Sequence, residues 1–331
     1  MAFPIIIILL AMVFDFYNGM NDAANSIATV VSTRVLTPLQ AVAWASFFNF
    51  AAAFTFGESV ATTIGKGIVD VNIIDNVVIL SALIGAIFTA ASATHMGLPI
   101  SVSHAIIGGL GGAALIKAGP SSIIADGFIK VFAFIFLAPI LGMFFAVVFS
   151  IVTLWAVKNF QPRKVDKYFR KLQLISAAIY SLSHGSNDAQ KTMGIIAVVL
   201  FTNGFLGNTF YVPVWVVFLS YTVIALGTFI GGWRVIKTLG MSLTKLTPFG
   251  GFSAETSAGL TILLASYFGI PVSTTHTISG AIAGVGSVKG MSYVRWSVAR
   301  NIVWAWVLTI PLSASFASIS FLFINYLMSL F

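Results

Sequence analysis

The chain contains no cysteine in its 331 residues, and only 8% of its residues are charged. Without cysteine there is no disulfide framework and no thiolate metal site, and nothing marks a redox compartment. The shortage of charge is more restrictive. A soluble domain carries about 25% charged residues, so this chain has too few to clothe a surface that faces water. Asp and Glu together number only nine, so any that falls inside an apolar stretch needs a reason. A basic N-terminal start is also missing, and the first apolar run leads into Asp15–Asp22 where a small-residue cleavage site would stand. That segment is expected to be a span and not a signal peptide.

What is abundant is hydrophobic sequence, 58% of residues, with mean hydropathy +1.01. Ile5–Phe14, Val131–Val157 and Tyr211–Ile230 supply apolar runs, and Val131–Val157 carries no charge at all. A span needs roughly 20 mostly apolar residues. Open sheets leave backbone groups unsatisfied in lipid, and barrel strands alternate in polarity. The expected class is therefore an all-α polytopic membrane protein. Polar stretches at Gly57–Asn76, Lys117–Asp126, Thr202–Thr209, Trp233–Gly251 and Lys289–Tyr293 divide it into roughly 10–12 membrane segments of about 20 residues. Net charge is +8, and six of the 17 basic residues cluster as Lys158, Arg163, Lys164, Lys167, Arg170 and Lys171, opposed only by Asp166. No nucleic-acid recognition motif adjoins them, so no nucleic-acid partner is expected. The positive-inside rule makes residues 158–171 a cytoplasmic loop of an inner (plasma) membrane protein.

The sequence is written twice. Gly19-Met20-Asn21-Asp22-Ala23 recurs as Gly185-Ser186-Asn187-Asp188-Ala189, and Gly97-Leu98-Pro99-Ile100-Ser101-Val102-Ser103-His104 as Gly269-Ile270-Pro271-Val272-Ser273-Thr274-Thr275-His276. The offsets, 188 − 22 = 166 and 276 − 104 = 172, differ by six residues. This divides the chain into a first transmembrane repeat (1–157), the basic loop (158–171) and a second repeat (172–331). Inverted repeats are the commoner arrangement when such motifs interrupt membrane segments.

Both motif pairs are rich in residues that helices tolerate poorly, so discontinuous helices or re-entrant hairpins are expected at each. Each Pro is followed by a Ser/Thr-rich turn suited to starting a half-helix, whose free N–H groups and positive partial charge suit an anion. Any single Ser or Thr here has a plain alternative, a bond to the backbone or a neighbouring helix. Asp22 and Asp188 are different, because intramembrane carboxylates are functional candidates by default. A carboxylate about 5 Å from a dianion costs roughly 7 kcal/mol at an effective dielectric near 20. Cations between carboxylate and anion, or protons on the carboxylates, remove that conflict, and either makes the protein a cation-coupled symporter. Asn21, Asn25, Asn187, Ser103 and Thr275 supply neutral oxygens for a sodium ion. Lys191, the only fixed cation in either motif, either pairs with Asp188 or contacts the anion. Glu58 and Glu255 are further cation candidates, and Asp15 is read as a cap or local pair. A hydrolase is disfavoured, since Ser103 and His104 are adjacent on a helix and point about 100° apart. An anion channel would need a continuous pore where these motifs suggest an occluded site.

Gly19–Ser26, His184–Gly194 and Gly269–His276 resemble the signatures of the inorganic phosphate transporter (PiT) family, in order and from about Phe14 to Val288. The resemblance implies inverted repeats around a core of broken helices, alternating access about a midplane site, a homodimer, and symport of inorganic phosphate with sodium or protons. It implies no cofactor other than the co-transported sodium, and no enzymatic activity. Motif matching makes Asp22, Asn25, Ser101, Ser103, Asp188, Gln190, Ser273, Thr274 and Thr275 phosphate-site candidates, and the charge of Lys191 adds it to them. Asn21, Asp22, Asn187, Asp188, Ser103, Thr275, Glu58 and Glu255 become cation candidates. The Gln190-Lys191 pair resembles bacterial members, which include proton-coupled and metal-phosphate carriers. The residues themselves leave sulfate open as the substrate, although monobasic phosphate has a proton to share with a carboxylate and sulfate does not.

Overall fold

The computed structural model describes residues 2–55, 59–70, 73–270 and 272–330. Twelve α-helices are formed by them: α1 (Ala2–Ser32), α2 (Pro38–Ala51), α3 (Ser59–Lys66), α4 (Asn76–Met96), α5 (Val102–Ala118), α6 (Ala125–Val157), α7 (Pro162–Thr202), α8 (Val214–Ile230), α9 (Trp233–Lys237), α10 (Pro248–Tyr267), α11 (Thr274–Val288) and α12 (Trp296–Met328). Among the described residues the one β feature is an isolated bridge between Val69 and Ile123. Local chemistry places the helix starts. Thr37 and Gln40 form a reciprocal capping box on α2, and the Asp75 carboxylate accepts from Val78 N at 2.9 Å to cap α4. Pro38, Pro162 and Pro248 stand in first turns, where a missing N–H costs nothing.

Phe3–Ser32, α4, α6 and α12 are each long and apolar enough to cross a membrane, and α8 with the segment after it is long and apolar enough only as a pair, bent by 64° at the break between them. The outer faces of α6 and α12 present Phe132, Phe136, Ile140, Leu308, Leu312 and Ile319, a surface suited to lipid and not to water. Inside stand α1 and α7, which carry the Asn-Asp motifs, together with the hairpins α4–α5 and α10–α11. The arrangement is crossed between the halves. α6 of the first half packs on α10 and α11 of the second, while α12 packs on α4 and α5.

This crossed packing depends on close backbone approach. A Cβ added at Gly112 would stand 2.4 Å from Ala314 O, and one at Gly284 would stand 2.5 Å from Met143 O. Gly108 and Gly280 make the same approach to Ile310 and Pro139. The two Gly-xxx-Gly pairs are 280 − 108 = 172 residues apart, the offset of the Pro-Ser/Thr motifs, so the duplication extends to the packing. Small residues at this spacing let membrane helices touch where no hydrophobic force separates helix from lipid.

Three sequence expectations change here. The Asn-Asp motifs break no helix: α1 and α7 run through them without interruption, because hydroxyls on other helices take the Asn21 and Asn187 amide protons and leave the backbone ladder intact. The breaks fall only at the second motif pair. There Gly97 closes α4 at φ 74 and Gly269 follows α10 at φ 66, left-handed conformations that glycine reaches without strain. The basic stretch 158–171 is a loop only as far as Gln161, since α7 begins at Pro162. Its charges sit on an exposed first stretch of helix, where Arg170 pairs with Asp166 one turn away at 3.1 Å. The polar stretch 57–76 likewise contains the short helix α3.

Neighbouring glycines on α5 test the packing argument. Gly112→Ala drives its methyl into the α12 backbone and is expected to destabilise the protein by about 1–3 kcal/mol. Gly111→Ala meets side chains and no backbone, the Phe128 ring edge at 3.3 Å and Ile123 Cδ1 at 3.8 Å, and should change stability by less than about 1 kcal/mol, with a helix-propensity gain on its side. Thermal unfolding of both variants in detergent measures the difference.

Candidate functional site

Asp22 sits in the middle of α1 and Asp188 in the middle of α7, at 2% and 0% exposure. The ends of α5 and α11 converge on them. Thr274 Oγ1, in the first turn of α11, lies 3.3 Å from Asp22 Oδ2 and 3.3 Å from Asp188 Oδ2, spanning both motifs. Thr275 Oγ1 lies 3.1 Å from Asp22 Oδ1 and 3.0 Å from Ile100 O, and its single proton serves one of them at a time. Asn25 Nδ2 donates to Thr275 Oγ1 at 2.9 Å.

Lys191 ties the other side together. Its ammonium pairs with Asp188 Oδ1 and donates to Ser103 Oγ at 2.5 Å and to Val272 O at 3.2 Å. All three of its protons are thereby engaged. Of the two roles open to Lys191, ion pairing with Asp188 is the one seen. The contacts repeat across the halves: Ile100 O faces Thr275 and Val272 O faces Lys191, with 272 − 100 = 172. Each break therefore offers a carbonyl to the polar cluster.

His184 joins this cluster although it does not figure among the sequence candidates. Its Nε2 is 3.3 Å from Asp188 Oδ2 and 3.8 Å from Asp22 Oδ2, within ion-pair reach of both. Its Nδ1 faces Asn49 Oδ1 at 3.2 Å, and Tyr180 stacks on the ring. The signal that finds it is helical spacing: four residues before Asp188, it must share a face with it. Asp22, His184 and Asp188 can each direct one ligand atom into a group less than 4.8 Å across.

Other candidates lie where their chemistry is partly used. Ser101 and Ser273 are the N-caps of α5 and α11, accepting from His104 N at 3.3 Å and His276 N at 3.2 Å. Gln190 turns away from the carboxylates, its Oε1 accepting from Val60 N at 2.9 Å at the start of α3. It lines a cavity of about 540 Å³ with Ser59, Ser186, Ser266 and Tyr267. Asn21 Nδ2 donates to Thr94 Oγ1 at 2.9 Å and Asn187 Nδ2 to Ser266 Oγ at 2.9 Å, equivalent contacts from equivalent helices. The side-chain oxygens of Asn21, Asn25 and Asn187 accept no hydrogen bond among the described residues. Glu255 is buried apart from the two aspartates, accepting from Gln173 Nε2 at 3.0 Å and Ser176 Oγ at 2.5 Å. Glu58 lies outside the described residues.

The His104 and His276 rings form a buried edge-to-face pair with centroids 4.8 Å apart, and His276 also stacks on Trp306. Among the described residues, neither ring is hydrogen-bonded to a hydroxyl as a base is to its nucleophile.

Removing one partner of a buried ion pair leaves an uncompensated charge, at a cost of about 3–5 kcal/mol. Lys191→Met and Asp188→Asn are each expected to lose stability on that scale. The double variant should regain most of it, because no lone charge remains. A double-mutant cycle by denaturation in detergent checks this, and additive losses would refute the pairing.

Residues 18–317 match the phosphate transporter family. The chain is 51% identical over 323 residues to a probable low-affinity inorganic phosphate transporter of Rhizobium meliloti (strain 1021), covering 97% of each chain. It is 42% identical over 324 residues to a protein of the same description in Bacillus subtilis (strain 168), again covering 97% of each. A solved structure described as the sodium-dependent phosphate transporter superposes with a TM-score of 0.88 at 30% identity, over 98% of this chain and 100% of that one. With signature motifs, fold and long similarity in agreement, the chain belongs to the phosphate transporter family and is a membrane transporter of phosphate, not an enzyme.

Proposed function

We propose that the protein imports inorganic phosphate across the plasma membrane by sodium symport, with phosphate held where the first turns of α5 and α11 meet Asp22, Asp188 and Lys191. The observation that carries this reading is the convergence of two helix N-termini, two carboxylates and one ammonium in a single buried cluster. Ser103, Thr274 and Thr275 offer hydroxyls, and the two half-helices offer N–H groups and favourable dipoles. Ser101 and Ser273 shape the turns as caps, and Gln190 fixes α3 beside the site. A phosphate bearing a proton can donate to Asp22 or Asp188, which sulfate cannot do.

A cation is called for by the acceptors. Asn21, Asn25 and Asn187 carry buried side-chain oxygens with no donor among the described residues. Together with Asp22, Asp188, Ser103 and Thr275 they make an oxygen-only set of the kind that suits a hard cation. Glu255, held by Gln173 and Ser176 between α7 and α10, is an auxiliary cation site. A cation among these groups offsets the repulsion that phosphate would feel from Asp22. Protons are the alternative coupling ion, supported by the proximity of His184 to both carboxylates.

The duplicated motifs and crossed packing support two inverted repeats, related by a pseudo-two-fold axis in the membrane plane, that rock about the shared site in alternating access. The basic start of α7 lies on the cytoplasmic side in this reading, and the working unit is a homodimer in lipid.

Uptake of radiolabelled phosphate into proteoliposomes tests the reading, under an inward sodium gradient, a proton gradient or neither, with sulfate as competitor. Sodium-driven uptake that sulfate does not suppress is expected, falling to background in Asp22→Asn and Asp188→Asn. Uptake driven by protons alone would overturn sodium coupling, and sulfate transport without phosphate transport would overturn the substrate.

A further inference from the structure

Seven residues before Asp22 stands a third buried carboxylate, outside both motifs. Asp15 is 0% exposed. Its Oδ1 accepts from Thr192 Oγ1 of α7 at 2.8 Å, and its Oδ2 accepts nothing among the described residues. Asp188 has Lys191 and His184 within ion-pair distance, and Asp22 has His184; among the described residues Asp15 has no cationic partner at such a distance. A buried charge without a partner is among the costliest features a fold can hold, so this carboxylate needs either a proton or a counter-charge.

The groups around it indicate which one. Asn18, three residues on and 1% exposed, shares the face of α1 that bears Asp15, and its Oδ1 likewise accepts no hydrogen bond among the described residues. The Asn18 amide lies one turn along the helix from the Asp15 carboxylate, and a half-turn of that amide presents its oxygen in place of its nitrogen. Carboxylate, amide carbonyl and hydroxyl are all hard oxygen donors. Among the described residues no imidazole or thiol is in hydrogen-bond or ion-pair contact with Asp15 to add the softness that a transition metal prefers. Nor is this a duplicated feature. At the motif offset of 166, Asp15 corresponds to Ser181 and Asn18 to His184, and Ser181 Oγ donates to its own helix at Ala177 O at 2.8 Å. The arrangement exists once.

We propose that Asp15, Asn18 and Thr192 form a separate sodium site, about 10 Å along α1 from Asp22. The proposal rests on the sodium-coupled reading above and adds a cation that does not touch phosphate. Its route to the phosphate cluster is short. Thr192 directly follows Lys191, so sodium at this site draws α1 and α7 together at the residues that set Lys191 and Asp188. Because coupling of this kind is reciprocal, phosphate must tighten this sodium by the factor by which this sodium tightens phosphate.

Binding of ²²Na⁺ to the purified protein in detergent tests the site directly, alongside sodium activation of phosphate uptake in proteoliposomes. In Asp15→Asn the sodium isotherm is expected to lose one ion per chain, or to raise the half-saturating sodium by about tenfold, the scale of one charged ligand. Phosphate should still raise the melting temperature of the variant at saturating sodium. Thr192→Val, which leaves every charge in place, should shift sodium binding in the same direction and carries the test if Asp15→Asn fails to fold. An isotherm unaltered from wild type in the folded variant overturns the site. So does a change in the pH dependence of uptake with sodium binding intact, which would make Asp15 a proton carrier. Phosphate uptake by the wild type that ignores sodium would sink the sodium-coupled reading itself, an outcome separate from these.

Discussion

The ion pair between Asp188 and Lys191 is buried at 0% and 1% exposure in the interior of a membrane-embedded bundle, and much of the architecture follows from having to hold it there. Two charges in a dry interior are tolerable only with good geometry and with their remaining valences filled. The second carboxylate oxygen of Asp188 faces Thr274 and His184, and the two other protons of Lys191 go to Ser103 and Val272 O. These partners come from α5, α7, α11 and the break before α11. The pair is thus satisfied only when both hairpins close on α7, which binds charge neutralisation to tertiary assembly.

Continuity in some helices and interruption in others then have one explanation. α1 and α7 can present Asn, Asp and Lys from unbroken backbones because side chains on other helices take up their hydrogen bonds. α5 and α11 have to begin inside the protein, because only a helix start delivers free N–H groups and hydroxyls to the same point. Gly97 and Gly269 permit the turns that make those starts possible. Around this core, α6 and α12 exchange places between the halves and pack through glycine contacts too close for any side chain. Such an outer layer can shield the polar interior from lipid.

A transporter has to bind its solute without trapping it. Lys191 with all its protons engaged, and Thr274 shared between two carboxylates, describe a site already satisfied from within. In the proposed site, an incoming phosphate competes for Ser103, Thr274 and Thr275 and must be compensated as it does so. Donor-poor oxygens on Asn21, Asn25 and Asn187 are the complementary imbalance, acceptors waiting for positive charge. In the symport proposed above, anion and cation each remedy what the other lacks.

Sequence alone determined that the protein is a helical membrane transporter, written twice, and singled out Asp22 and Asp188 as buried carboxylates that need a reason. Those conclusions rest on composition and on residues that are costly wherever they occur in an apolar chain, so no coordinates are needed. It also located the breaks at the Pro-Ser/Thr motifs, because Gly and Pro restrict the backbone locally. Tertiary structure decided the rest. It showed that the Asn-Asp motifs stay helical, since the partners of Asn21 and Asn187 lie 73 and 79 residues away. It brought His184 between the two aspartates, sent Gln190 to the cap of α3, and placed the Asp15 carboxylate against Thr192, 177 residues along the chain. Helix propensity and charge are properties of single residues and short segments and are legible in a string. Which buried donor meets which buried acceptor depends on packing across the whole bundle, and it appears only once the helices are in contact.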